Sequence, residues 1–380
     1  MYFLPEMEDA HSVELGFAQD PESAYFAVFD GHGGAKFAQL CGSRLSHYLE
    51  TDSAFRSGDY STALSNSFLS IDKDLQEEQE LQTELGGTTA IVVLVRDNMI
   101  YCANAGDSRA VACVAGRVKE LSFDHKPYNQ GEQARIFRAG GWVEFNRVNG
   151  NLALSRAIAD FNFKRNPDLP QAEQIVTANP EVIAVDVTPD HEFIVLACDG
   201  VWDVMSNIEV VEFVRKKIAS NMKPPEICEA LLDHCLAPDC RMGGVGCDNM
   251  TAVLACFMHR DSYGDLVYRC SRDSSLISRV RRLSSLGNMA EWTTKLGSRN
   301  RRMSEPPSFT GQSPVIPSNL AGLSDKTGLL NGVSSPDSDI PPLTESKSEG
   351  GEGKEEGEGE GGTEQGEEED ELPVPFETTL

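Results

Sequence analysis

The chain has 380 residues and a formal net charge of −27. That balance disfavours nucleic acid as a partner, because a duplex rewards clustered Lys and Arg through released counterions. With no run of 18 apolar residues and no basic-then-apolar start, neither a membrane span nor a secretory leader is predicted, and the expected location is cytoplasmic and also nuclear.

Composition divides the chain. Up to about Met258 apolar runs alternate with Gly, Asp and Asn, whereas beyond about Met303 Ser, Pro, Gly and Glu dominate. One folded domain is therefore predicted over residues 1–260. A basic, partly helical extension should follow over 261–302, then a disordered tail over 303–380, first Ser/Pro-rich and then Gly/Glu-rich. Among ten cysteines, Cys102, Cys198 and Cys256 lie inside apolar runs, where a reduced thiol serves as a small hydrophobe. Cys235, Cys240 and Cys247 beside His234 lack the spacing of a zinc site.

Taken in chain order, apolar runs at 24–29, 88–95, 99–105, 193–198 and 250–258 read as strands buried on both faces. Helical periodicity marks 35–50, 60–84, 131–139, 208–219 and 224–235. Arg96-Asp97-Asn98 between two runs predicts a tight hairpin and hence antiparallel pairing. The helices fall between groups of strands rather than alternating with them, which points to sheets covered by helices, an α+β arrangement.

The strand ends carry the chemistry. Asp30, Asp107 and Asp199 follow buried runs, and Asp248 precedes one. A single Asp beside Gly is an ordinary turn. Four at the mouths of buried strands, with Glu8 and Asp9 near the start, form a set of hard oxygen donors with little His or Cys, which suits Mg²⁺ or Mn²⁺. Phosphate esters resist water strongly, and two divalent ions supply both the nucleophile and the charge neutralisation their hydrolysis needs.

The strings EMEDAH (6–11), VFDGHGG (28–34), GGTTA (86–90), NAGDSRAV (104–111), DHKP (124–127), RVNGNLALSRAIAD (147–160), LACDGVWDV (196–204) and CDNMT (247–251) occur in one order. The series resembles that of the metal-dependent type 2C, or PPM, serine/threonine protein phosphatases and covers about residues 6–258. The resemblance implies a sandwich of two antiparallel β-sheets flanked by helices on both faces, four layers in αββα order. It implies a hydrolase of phosphoserine and phosphothreonine in phosphoprotein substrates. Two Mg²⁺ or Mn²⁺ ions are implied: Asp30 bridging them, Glu8 and the Gly31 carbonyl completing one site, Asp199 and Asp248 the other. Asp107 with Asp199 matches a weaker third ion, and Asp9 and Asp203 match acidic positions lining the cluster. His32 matches a general acid for the leaving oxygen. Arg156 and Asn249, with Asp203, take supporting roles.

The sequence departs from the family pattern at its start. That pattern has a phosphate-gripping Arg and one or two strands ahead of the first acidic motif, whereas here no Arg precedes Arg44. A chain whose natural start lies upstream is expected, and a non-catalytic phosphatase-like scaffold is the rival reading. In the tail, Ser284 and Ser304 follow Arg pairs as basophilic-kinase sites do, and Ser304 also resembles a 14-3-3 docking site. The last residues Glu377-Thr378-Thr379-Leu380 resemble a ligand for a PDZ domain, with Thr378 and Leu380 as its anchors.

Overall fold

A computed structural model describes residues 7–81, 83–240 and 244–272, together with the backbone of 376–379. Its main strands are β1 (Ala10–Leu15), β2 (Ala24–Phe29), β3 (Ala90–Arg96), β4 (Met99–Ala105), β5 (Arg109–Val114), β6 (Arg117–Glu120), β7 (Glu181–Asp186), β8 (His191–Ala197), β9 (Ala252–Phe257) and β10 (Phe376–Thr379). Its longer helices are α1 (Lys36–Thr51), α2 (Tyr60–Glu77), α3 (Gln130–Arg138), α4 (Asn207–Ala219), α5 (Pro224–Cys235) and α6 (Tyr263–Ser271).

Two five-stranded antiparallel sheets result, one in the order β1-β2-β3-β4-β7 and the other in the order β10-β9-β8-β5-β6. Strand parity builds the layers. On one side of β2, Ala24, Phe26 and Val28 join Ile91, Val93, Ile194, Leu196, Val253 and Ala255 in an apolar layer between the two sheets. On the other side, Tyr25, Ala27 and Phe29 meet α1 and α2. Because both faces are covered, these strands are continuous apolar runs without polar alternation.

The helices carry matching stripes. Phe37, Cys41, Leu45 and Leu49 recur every four residues on α1 and are all buried, as are Leu64, Phe68, Ile71 and Leu75 on α2. Val210, Val211, Val214 and Ile218 of α4 and Ile227, Cys228 and Leu231 of α5 cover the outer face of the second sheet. The order is thus helix, sheet, sheet, helix, and truncating a fully buried ring such as Phe68 to Ala should cost about 3–5 kcal/mol. Ser206 and Glu209 close α4 with a reciprocal capping box, which contributes about 1 kcal/mol.

The hairpin between β3 and β4 turns on Asp97 and Asn98, both left-handed with φ of 53° and 58°, the geometry of a two-residue turn. Two expectations need correction. The helix expected over 60–84 ends at Glu77, because Glu78 is extended and a short turn at Gln79–Leu81 follows. At the other end, the sequence predicts no strand at 376–379, yet these residues pair with β9, Thr378 opposite Ala255. Within the span 261–302 only residues up to 272 are described, and they include α6. Among the described residues no helix is long and apolar enough to cross a membrane.

Candidate metal centre

Register brings the acidic strand ends together. Ala10 faces Phe29 across β1 and β2, so Asp9 and Asp30 lie at neighbouring ends. Ala197 of β8 faces Ala252 of β9 and Arg109 of β5. Asp199 is thereby set beside both the 248–251 segment and Asp107. Ala90 faces Ala105 across β3 and β4, which brings Thr89 to the same place. Both sheets contribute, and the carboxylates gather at one end of the sandwich.

The backbone there is tightly crossed. A Cβ on Gly31 would stand 2.3 Å from the Glu8 carbonyl oxygen, and one on Gly200 only 2.1 Å from that of Asn249. No other residue type fits either crossing. The Asp30 N–H donates to Thr89 Oγ1 at 3.3 Å, and its carbonyl accepts from the Thr89 N–H at 2.9 Å. Glu8 donates its N–H to Asn249 Oδ1 at 2.9 Å and accepts the Gly34 N–H on Oε1 at 3.1 Å.

Carboxylate oxygens of Asp30, Asp107 and Asp199 all lie within 4.8 Å of one another, and ligand atoms of Asp9, Asp30 and Cys198 do the same. Asp30 belongs to both groups. Burial, with the charges of Asp199, Asp9, Asp107 and Asp248, pushes Asp30 up to about 10. Burial and the neighbouring Asp107, Asp203 and Asp248 push Asp199 up to about 7. Asp9 is also raised by burial, although Thr251 Oγ1 donates to its Oδ2 at 2.7 Å. Its other oxygen, Oδ1, is buried without a hydrogen-bond partner.

Such an assembly is costly by itself, since like charges are held close in a low-dielectric site. The orphaned Asp9 oxygen and the mutual repulsion around Asp30 are the signature of a site built for a hard cation, so the donor set fits divalent metal. Cys198 does not belong to that chemistry. Burial holds its thiol far above the usual range, and soft sulfur suits other ions.

The predicted residues divide by position. Asp9, Asp30, Asp107 and Asp199 converge directly. Asp248 stands outside the two close groups, yet its charge acts on Asp9, Asp30 and Asp199. Glu8 and Gly31 are joined to the centre through the backbone crossing, Asn249 through Glu8, and Asp203 through its N–H to the Asp199 carbonyl at 2.8 Å. Arg156 lies elsewhere, gripping Glu132 with Nε and Nη2. Ser284, Ser304 and Leu380 lie outside the described residues, and Thr378 is described only as backbone.

Three functional contacts were not assigned from sequence. His32 sits on a short ribbon in which Gly31–His32 pairs with Gly87–Thr88 and that in turn with Ile158–Ala159. Its Nε2 meets Asp160 Oδ2 at 2.7 Å. Burial lowers the His32 pKa, but Asp160, with help from Asp107 and Glu8, outweighs it and raises the imidazole overall. Ala159 and Asp160 both hold positive φ, 64° and 50°, strain typical of a functional corner. Second, the Lys126 ammonium bonds Asp107 Oδ2. Third, Thr251 bonds Asp9. All three partners lie inside quoted strings, RAIAD, DHKP and CDNMT, without a role read for them.

Comparison with known proteins agrees with this geometry. The family model described as Protein phosphatase 2C matches residues 2–242, more than half of the chain. A probable protein phosphatase 2C of Caenorhabditis elegans is 54% identical over 267 residues, 70% of this chain and 75% of that one. Protein phosphatase 2C homolog 2 of Aspergillus fumigatus is 49% identical over 260 residues, covering 65% of this chain and 61% of its own. A crystal structure of a phosphatase from a pathogenic strain of Toxoplasma gondii superposes with a TM-score of 0.52 at 28% identity, covering 60% of this chain and 84% of that one. The chain belongs to the protein phosphatase 2C family and is a metal-dependent protein serine/threonine phosphatase.

Proposed function

We propose that Asp30 would be shared between two divalent ions, Mg²⁺ or Mn²⁺, with Glu8 and the Gly31 carbonyl completing the donor set of one and Asp199 and Asp248 that of the other. The single observation that supports this reading best is the membership of Asp30 in both close groups of ligand atoms. When bound, such ions lower the pKa of a water to yield a nucleophile and neutralise charge on the phosphoryl oxygens. Asp107 with Asp199 would hold a weaker third ion, and Asp9, kept in place by Thr251, would add negative charge to the cluster. His32, aligned by Asp160, delivers a proton to the leaving serine or threonine oxygen. Lys126 holds Asp107 and offsets part of the negative charge facing Asp199.

The test is hydrolysis of a phosphothreonine peptide in Mn²⁺ by the chain and by its Asp199→Asn variant. Chelation should abolish turnover, and near-normal activity in the variant would refute the assignment. A stable fold that binds Mn²⁺ yet turns over no phosphopeptide would favour the scaffold reading. Docking of phospho-Ser304 to 14-3-3, phosphorylation at Ser284, PDZ recognition through Thr378 and Leu380, and residence in cytoplasm and nucleus are proposals from sequence. Pull-downs with phosphorylated and tail-deleted chains, and imaging of a tagged chain, test them.

A further inference from the structure

Eight of the ten cysteines are buried and outside any disulfide. Burial pushes the thiols of Cys198, Cys228 and Cys270 above their usual range, which leaves them inert as nucleophiles. Cys240 and Cys247 are the exceptions: Cys240 is exposed, Cys247 is half-buried, and the two are joined by a disulfide with their Cα atoms 5.3 Å apart. That separation suits the bond without backbone movement. The expectation that Cys102, Cys198 and Cys256 serve as small buried hydrophobes agrees with their burial.

The location of the bridge gives it a consequence. Cys247 is the residue before Asp248, so the bond anchors the chain just ahead of an acidic residue of the centre. Asp248 Oδ1 accepts the Asn249 N–H at 2.8 Å, and Asn249 Oδ1 accepts the Glu8 N–H at 2.9 Å. The two limbs leading to the bridge are also joined by the Ala237 N–H to the Gly246 carbonyl at 2.8 Å. Movement of Cys247 is therefore transmitted to Asp248 and, through Asn249, to Glu8. Those two residues belong to opposite sides of the centre.

We propose that Cys240 and Cys247 form a reversible redox bridge that sets how firmly Asp248 is held, and hence how tightly the centre binds divalent metal. This rests on the reading of Asp248 as a metal ligand. Hydrogen peroxide is the oxidant. The Cys240 thiolate attacks one peroxide oxygen, forming an S–O bond and breaking the O–O bond, and the departing hydroxide leaves as water after taking a proton. The Cys247 thiolate then displaces hydroxide from the Cys240 sulfenic acid, closing the S–S bond with release of a second water. In all, two thiols and one peroxide give one disulfide and two waters. A cellular dithiol reverses it by exchange at the exposed Cys240 sulfur. Closing the loop removes conformations in which Asp248 swings away, so the oxidised protein binds metal more tightly, by about threefold to tenfold.

The full chain is treated with peroxide or with a dithiol and alkylated, and non-reducing peptide mass spectrometry locates any linkage. Mn²⁺ affinity of each form is measured by titration calorimetry, independently of turnover. The expected result is a Cys240–Cys247 linkage in the peroxide sample alone, a tighter Mn²⁺ affinity in that sample, and a Cys240→Ser variant fixed at the reduced affinity whichever treatment it receives. Cys247→Ser should behave like Cys240→Ser, which guards against a folding defect in either. A different linkage, equal affinity in the two states, or a peroxide response retained by Cys240→Ser overturns the bridge while leaving the metal assignment standing. Absence of Mn²⁺ binding in both states overturns both.

Discussion

Around Glu132 and around Asp30 the chain buries carboxylates in opposite ways. Glu132 is almost sealed from water, but Arg135 and Arg156 reach it at 2.7 Å each and Ser155 donates to it at 2.7 Å. Burial raises its pKa, but the two guanidiniums outweigh that and bring it down to about 2. Asp30 is half-buried among four other acidic residues and rises to about 10. In the first cluster the protein supplies its own cations, which also tie α3 to the 155–179 segment through the Ser155, Gln174 and Asn179 carbonyls. The second is incomplete, and what it lacks is cationic. Two carboxylate clusters are thus separated into support and chemistry by whether the protein supplies its own counter-charge.

The comparison breaks most visibly under Asp30→Asn. Turnover should fall on the order of 10³-fold or more, while the thermal midpoint of the metal-free protein should hold or rise, because folding no longer has to protonate Asp30, whose carboxyl is pushed up to about 10. A metal-free midpoint that drops by several degrees would mean Asp30 supports the fold as Glu132 does.

Glu132→Gln should do the reverse. The buried Arg135 and the half-buried Arg156 lose their counter-charge, at a cost of about 3–5 kcal/mol of stability, while Mn²⁺ affinity at the remaining folded protein stays within a factor of about two. Denaturant unfolding gives the first quantity and calorimetry the second. Loss of metal affinity comparable to that of Asp30→Asn would erase the distinction.

A third measurement reads the missing counter-charge directly. At about 100 times its dissociation constant, Mn²⁺ should add about 2.7 kcal/mol of stability by mass action. Glu132→Gln should keep this increment and Asp30→Asn should lose most of it. An equal increment in both variants would place the bound ion elsewhere.

Much of this contrast was legible in the sequence. Ala24–Phe29 and Met99–Ala105 appear with the bounds read from their apolar runs, because strands covered on both faces cannot alternate with polar residues. The acidic residues at their ends were visible for the same reason: Asp beside Gly after a buried run has nowhere to go but the mouth of the sheet. Edge strands were harder. In β7 the apolar run, 182–185, is only four residues long and every position is exposed or half-buried, so it falls short of the longer buried runs read as strands. The contacts His32–Asp160 and Lys126–Asp107 were hidden too, since the first spans 128 positions and depends on ribbon pairing that no local pattern encodes. Arg156 was visible as a residue but not as a partner of Glu132, for the same cause.

The smallest expected effect is in the response to pH, where the two clusters should pull in opposite directions. His125 lies against the Glu132 network, its backbone carbonyl accepting from Ser155 Oγ at 2.9 Å. Burial, together with the charge of Arg156 and then of Arg135, lowers it to about 3 despite Glu132. The unfolded chain takes up this proton near pH 6.5 and the folded chain does not, so stability present above 6.5 is lost as pH falls toward 3. Glu132 adds a loss of the same sign between about 4.5 and 2. Asp199 behaves oppositely: its folded pKa of about 7 exceeds the ordinary carboxylate value of 3.8, so in metal-free protein a fall through 7 relieves repulsion and favours the fold. Saturating Mn²⁺ supplies the counter-charge instead and removes that compensation. Between pH 6.5 and 5.5 the metal-loaded protein should therefore lose about 1 kcal/mol from His125, and the metal-free protein less or none, as read from urea unfolding at each pH. Mn²⁺ binding also weakens as its carboxylates protonate, so each point needs metal well above its dissociation constant. Identical slopes with and without metal would show that the Asp30 cluster carries no uncompensated charge in the folded chain.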